Sequence, residues 1–127
     1  MKVFKFGGAS VKNAAAIKNV ASILKSYQQD YLLVVVSAMG KTTNALERIV
    51  SLAQEGKEIS GELEDIKAYH HEALRNLGEV DPTVRKKVDD VINTIAHEAV
   101  KPGDYDLVYD QVVSQGEILS SIIVSNY

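Results

Sequence analysis

An α/β layered fold built on a parallel sheet is predicted by three features of the chain. Residues 1–55 read as strand, glycine turn, helix, strand, glycine turn, helix. The second strand, 31–37, is an unbroken apolar and β-branched run, the pattern of a central parallel strand covered on both faces. The helical segments keep a 3.6-residue apolar period rather than alternating. Folds of this kind bind ligands beyond the carboxyl ends of their strands, so the two glycine turns are expected to meet there.

Each element has its own signal. Residues 3–6 form the first strand, and Ser10 is placed as N-cap of a helix with Ile17, Val20, Ala21, Leu24 and Tyr27 on its inner face. The next helix starts near Asn44, with Glu47 positioned to close a capping box and Leu46, Ile49, Val50 and Ala53 inward. After Gly56 a stripe of Leu63, Ile66, His70, Ala73, Leu74 and Leu77 predicts a third helix. Asp81-Pro82 supplies a cap and a first-turn proline for a fourth, whose stripe is Val84, Val88, Val91, Ile92, Ile95 and Ala99 before Pro102-Gly103. These two helices read as a hairpin inserted at about 57–103. Residues 104–127 are also helical in pattern, with Val108, Val112, Leu119, Ile122 and Ile123 inward and an interruption at Ser114-Gln115-Gly116-Glu117. Two strands are few for a doubly wound sheet, so the chain is expected to be the front part of a larger domain.

Composition removes several function classes. With 46% hydrophobic and 24% charged residues the chain is globular. A net charge of -3 without a basic stripe argues against nucleic acid as a partner. The absence of cysteine rules out disulfides, thiol nucleophiles and thiolate metal sites. The longest apolar run, 31–36, is too short to span a bilayer, and no signal-peptide pattern follows Lys2 and Lys5, so a cytoplasmic location without membrane association is expected.

The chemistry concentrates in three segments. In Lys5-Phe6-Gly7-Gly8-Ala9-Ser10, paired glycines let main chain approach an anion, a helix start offers unpaired N–H groups, and Lys5 adds a full positive charge. A tight turn with a surface lysine satisfies the same pattern, and the residues alone leave both readings open. In Ser37-Ala38-Met39-Gly40-Lys41-Thr42-Thr43-Asn44, capping of orphan N–H groups by Ser and Thr accounts for the pattern on the residues alone, although more hydroxyls are present than one cap needs, which leaves some for a carboxylate or phosphate. Gly116, in the middle of an apolar stripe, costs about 1 kcal/mol relative to alanine and implies a kink or a close crossing there, with Glu117 beside it. His70 and His71 point to different helix faces and His97 has no partner at ligand spacing, so all three are read as structural or solvated and no metal site is assigned.

Together these segments resemble the aspartate kinases of the amino acid kinase family. Lys5-Phe6-Gly7-Gly8-Ala9-Ser10-Val11 is similar to the Lys-Phe-Gly-Gly-Thr-Ser-Val signature, and residues 35–44 to the second glycine and hydroxyl turn. Ser114-Gln115-Gly116-Glu117-Ile118-Leu119-Ser120 resembles the Ser-x-Gly-Glu-x-Leu-Ser segment. The resemblance implies the N-terminal portion of a three-layer parallel-sheet amino acid kinase fold, with the helical hairpin as an insertion. It implies transfer of the γ-phosphoryl group of ATP to the side-chain carboxylate of L-aspartate, the first step toward lysine, threonine and methionine, with Mg2+ bridging the phosphates. Carried over by position, Lys5, Phe6, Gly7, Gly8 and Ser10 bind ATP phosphates, Lys5 stabilising the group in flight. Ser37, Thr43 and Glu117 bind aspartate, Glu117 pairing with its ammonium. A homo-oligomer is implied for the full-length enzyme, and a chain stopping at Tyr127 is expected to be inactive alone. Ala9 departs from the family threonine and removes one hydroxyl from the phosphate turn. The alternatives are another amino acid kinase, acting on glutamate, acetylglutamate, carbamate or UMP, and a non-catalytic anion-binding or assembly module that pairs through its sheet.

Overall fold

The computed structural model describes residues 1–78 and 81–127; residues 79 and 80, inside the expected hairpin, lie outside the described residues. Strand β1 (Lys2–Phe6) leads through a 3-10 turn (Gly8–Val11) into α1 (Ala14–Lys25), then β2 (Leu32–Val36) and α2 (Thr42–Gln54). The long helices α3 (Ser60–Leu77) and α4 (Pro82–Ala99) follow, then α5 (Tyr105–Val113) and α6 (Gln115–Ser125). β1 and β2 pair in parallel, Lys2 opposite Leu32 and Phe6 opposite Val36, with α1 as the crossover. The expected α/β architecture with a helical hairpin is the one found.

Side-chain period explains what each element buries. Ile17 and Val20 of α1, Leu46, Ile49 and Val50 of α2, Leu74 of α3, Val88 and Ile95 of α4, Val112 of α5 and Leu119 and Ile123 of α6 share one core. Each such side chain is worth about 1.5–3 kcal/mol when removed from water. On β1, Phe4 packs its ring 4.9 Å from Tyr27, just after α1, and Phe6 lies against the core. The hairpin is tied internally by His71 Nε2 to Asp89, 2.6 Å. The α2–α5 contact is tied by the Tyr109 hydroxyl, which donates to Glu47 at 2.8 Å.

Three local expectations are corrected. Ser10 does not cap α1; its N–H closes the 3-10 turn onto the Gly7 carbonyl, and Asn13 caps instead, its side chain accepting from Ala16 N–H at 2.9 Å. The extra turn exists because Val11 is drawn fully into the core, which displaces the start of the α-helix by one turn. Glu47 closes no capping box, because its carboxylate is taken by Tyr109 and α2 starts at Thr42. The second strand is covered on one face only: Leu33 and Val35 are 49% and 42% exposed, and with Val3 of β1 they form an open apolar face. Among the described residues, no helix is long and apolar enough to cross a membrane.

His70 is the buried histidine of the α3 stripe, with no exposed surface. Its Nδ1 lies 2.8 Å from the Ile66 carbonyl and is therefore the protonated nitrogen, while Nε2 is buried without a partner. Burial lowers its pKa; the Ile66 bond opposes that and the adjacent His71 adds to it. A histidine whose folded-state pKa is depressed contributes stability above its unfolded value of about 6.5 that is lost as pH falls below it. The urea midpoint of the chain is therefore expected to decline from about pH 7.5 to 5.5, and His70→Leu to flatten that decline. An equally steep decline in the variant would assign the pH dependence elsewhere.

Candidate functional site

Two backbone hydrogen bonds join the glycine turns at the carboxyl edge of the strand pair. Ser37 N–H donates to the Phe6 carbonyl at 3.0 Å, extending the ladder past the last paired residues, and Gly40 N–H donates to the Gly8 carbonyl at 2.9 Å. Chain approach this close excludes side chains. A Cβ on Gly8 would sit 2.8 Å from the Ala38 carbonyl oxygen and 3.0 Å from that of Gly40. Gly40 itself has φ +53°, the left-handed region that glycine adopts without penalty.

The third segment arrives by the same device. Gly116, buried near the start of α6, has its absent Cβ 3.0 Å from Ala38 Cβ and 3.1 Å from Leu46 Cδ1, with the Thr42 methyl at 3.5 Å. The glycine inside an apolar stripe is thus a close crossing of α6 over the second turn. Gly8, Gly40 and Gly116 bring three distant segments to one edge.

The helix starts at this edge are unserved by side chains. The 3-10 turn is entered through an extended Gly7, α2 through Lys41 and α6 through Ser114, none with a side-chain cap. Elsewhere Asn13, Asp81 and Asp104 cap α1, α4 and α5, and Glu58 accepts from the first N–H of α3 at 3.2 Å. Orphan N–H groups and the positive end of a helix dipole favour an anion. Of the hydroxyls in the second turn, Thr42 is buried and donates to the Met39 carbonyl at 2.6 Å. Among the described residues, Lys5, Ser10, Ser37, Thr43 and Glu117 make no side-chain hydrogen bond or ion pair. Lys5 is exposed, opposite Val35 in register and next to the strand's last residue. Glu117 is exposed in a groove that also includes Lys87, Ser114 and Ser121.

A model of the amino acid kinase family matches residues 1–127. The chain belongs to that family. It is 35% identical to chloroplastic aspartokinase 2 of Arabidopsis thaliana over 98% of its own length and 24% of the relative's. It is 30% identical to bifunctional aspartokinase/homoserine dehydrogenase 2 of Escherichia coli over 98% of this chain and 16% of that one. Among solved structures it is similar to E. coli aspartokinase III in complex with lysine and aspartate, with a TM-score of 0.82 and 29% identity over 98% of this chain and 28% of that one. The aspartokinase III complex with aspartate and ADP matches with a TM-score of 0.79 and 30% identity over the same shares. The chain therefore spans about a quarter of the length of the aspartokinases it resembles.

Sequence reasoning missed Tyr69. It stands on α3 beside the buried stripe, 36% exposed, and reaches both glycine turns. A tyrosine off the apolar period carries no spacing signal, and its partner Lys12 is 57 residues away.

The glycine crossings are expected to be the least substitutable positions of the edge. Gly8→Ala and Gly116→Ala should each destabilise the chain by about 1–3 kcal/mol, since the methyl meets backbone oxygens or packed carbons. Gly61→Ala, in the first turn of α3 with open space around it, should be neutral or stabilise by up to about 1 kcal/mol. Urea titration of the three variants checks this; equal costs at all three positions would contradict the close crossings.

Proposed function

We propose that residues 1–127 supply the phosphate and acceptor contacts of an aspartate kinase, which transfers the γ-phosphoryl group of ATP to the side-chain carboxylate of L-aspartate. The observation that carries this reading is the convergence, through glycine contacts, of three helix starts left without side-chain caps beside Lys5, Ser37 and Thr43. The aspartokinase III complex with aspartate and ADP supports it from outside the chain.

Phosphoryl transfer requires positioning and charge neutralisation rather than a covalent nucleophile. The Lys5 ammonium stabilises charge on the phosphoryl group as it moves from the leaving oxygen of ADP to the aspartate carboxylate. Gly7 and Gly8 hold phosphate oxygens through main-chain N–H groups, Ser10 supports the same turn, and Phe6 fixes the turn's base through the carbonyl that accepts from Ser37. Ser37 and Thr43 donate to the acceptor's carboxylate, and Glu117 pairs with its ammonium. Mg2+, when bound with the nucleotide, would add further neutralisation of the phosphate charge. In this reading the whole enzyme is a cytoplasmic homo-oligomer, and the 127-residue chain assayed alone does not turn over, since the aspartokinases it matches are about four times as long.

The test is a chimera in which residues 1–127 replace the matching segment of E. coli aspartokinase III, assayed for ATP-dependent acyl phosphate formation with a panel of acceptors. Aspartate should be phosphorylated and glutamate, acetylglutamate and carbamate should not; activity on glutamate instead would end this reading. Within the active chimera, Lys5→Ala should lower turnover by about 100-fold or more, as expected for loss of a preorganised charge-stabilising donor. A loss under about threefold would remove Lys5 from that role. Glu117→Gln should raise the aspartate KM by about tenfold with little change in kcat, because an ion pair to the ammonium holds ground and transition states alike. An unchanged KM would show that Glu117 does not grip the ammonium.

A further inference from the structure

We infer that Tyr69 is a positioning residue that locks the two glycine turns in register, so that the helical hairpin, far from the reacting atoms in sequence, sets the geometry of the site. Its hydroxyl donates to the carbonyl of Lys12, the residue that leaves the first turn. The same hydroxyl abuts the second turn: a Cβ on Gly40 would lie 2.6 Å from it and 3.5 Å from the ring carbon that bears it. One phenol thus touches the exit of the first turn and the glycine whose N–H bonds back to Gly8. Burial raises the phenol pKa above its ordinary value, so the hydroxyl remains a donor at neutral pH. The ring is held from behind, edge-on to His70 at 5.3 Å, and His70 is fully buried. The hairpin therefore presents Tyr69 from a rigid support. A loop side chain in the same place would lose more conformational freedom on making the contact. Gly40 needs its bare α-carbon twice over, for its φ of +53° and for the space the phenol fills.

The catalytic side of this inference rests on the aspartate kinase reading; the lock itself does not, and the experiment separates them. Tyr69→Phe keeps the ring, its packing on His70 and the core, and removes only the hydroxyl. Amide hydrogen exchange in the 127-residue chain should show the Gly40 N–H exchanging about tenfold faster or more, with core amides such as Ile49 and Ile95 unchanged, because local opening is distinct from global unfolding. In the chimera, kcat should fall by about tenfold with both KM values within about twofold, the signature of lost alignment rather than lost binding. Gly40→Ala provides a second approach to the same contact: its damage to Gly40-region exchange should be smaller in the Tyr69→Phe background than in the parent. Gly40 exchange within about twofold of the parent, or a uniform acceleration of all core amides, overturns the lock. An unchanged kcat in an active chimera overturns the positioning role. A chimera inactive with Tyr69 in place, alongside selective acceleration at Gly40, upholds the lock and counts against the kinase reading instead.

Discussion

The Gly40 N–H to Gly8 carbonyl bond is the contact on which the rest of the edge depends. It lies beyond the last strand pair, where a parallel ladder would normally open, and with the Ser37 to Phe6 bond it continues main-chain pairing into the turns. Both positions strongly favour glycine, Gly8 because carbonyl oxygens occupy the place of a side chain and Gly40 because of its left-handed backbone. Once the turns are joined, the 3-10 turn and α2 must begin side by side. The first N–H of α2, that of Thr42, is held by the Met39 carbonyl at 3.0 Å, and α6 is brought to the same edge by the packing of Gly116 on Ala38 and Leu46. A helix start carries a partial positive charge, and Lys5, exposed on β1, adds a full one.

The surrounding helices hold this arrangement rather than forming part of it. The Tyr109 to Glu47 bond fixes α5 on α2, and the shared core of α2, α4, α5 and α6 leaves little freedom for the second turn to move relative to α6. Interiors packed at crystal-like density transmit small displacements instead of absorbing them. The side-chain caps lie on α1, α4 and α5, which build the scaffold, whereas among the described residues the side chains of Lys5, Ser10, Ser37, Thr43 and Glu117 at the edge make no hydrogen bond or ion pair.

Much of this was legible in the residues because it follows from period and from glycine. The stripes of α3 and α4 needed no tertiary information, and the Asp81-Pro82 start could be placed to the residue. The glycine in the α6 stripe signalled a kink or a close crossing; the structure shows the crossing, against Ala38 and Leu46, which the stripe could not name. The helix starts were harder. Ser10 and Glu47 both satisfy local capping rules, yet Val11 turns inward and Tyr109 claims Glu47, and both outcomes are decided by packing between elements distant in sequence. The open face of Val3, Leu33 and Val35 was misread for a related reason: an apolar run reports that a strand can be covered on both sides, not what covers it. Tyr69 was invisible because its role depends on Lys12 and Gly40 meeting in space.

The most direct test of the central claim is the trans-hydrogen-bond scalar coupling between the Gly40 amide nitrogen and the Gly8 carbonyl carbon, measured by NMR on uniformly labelled protein. A resolved coupling at that pair, alongside the one from Ser37 to Phe6, is the result expected of turns joined through main chain. A folded chain with the Ser37 coupling present and the Gly40 coupling absent would mean that the turns lie apart, and the shared edge would not exist.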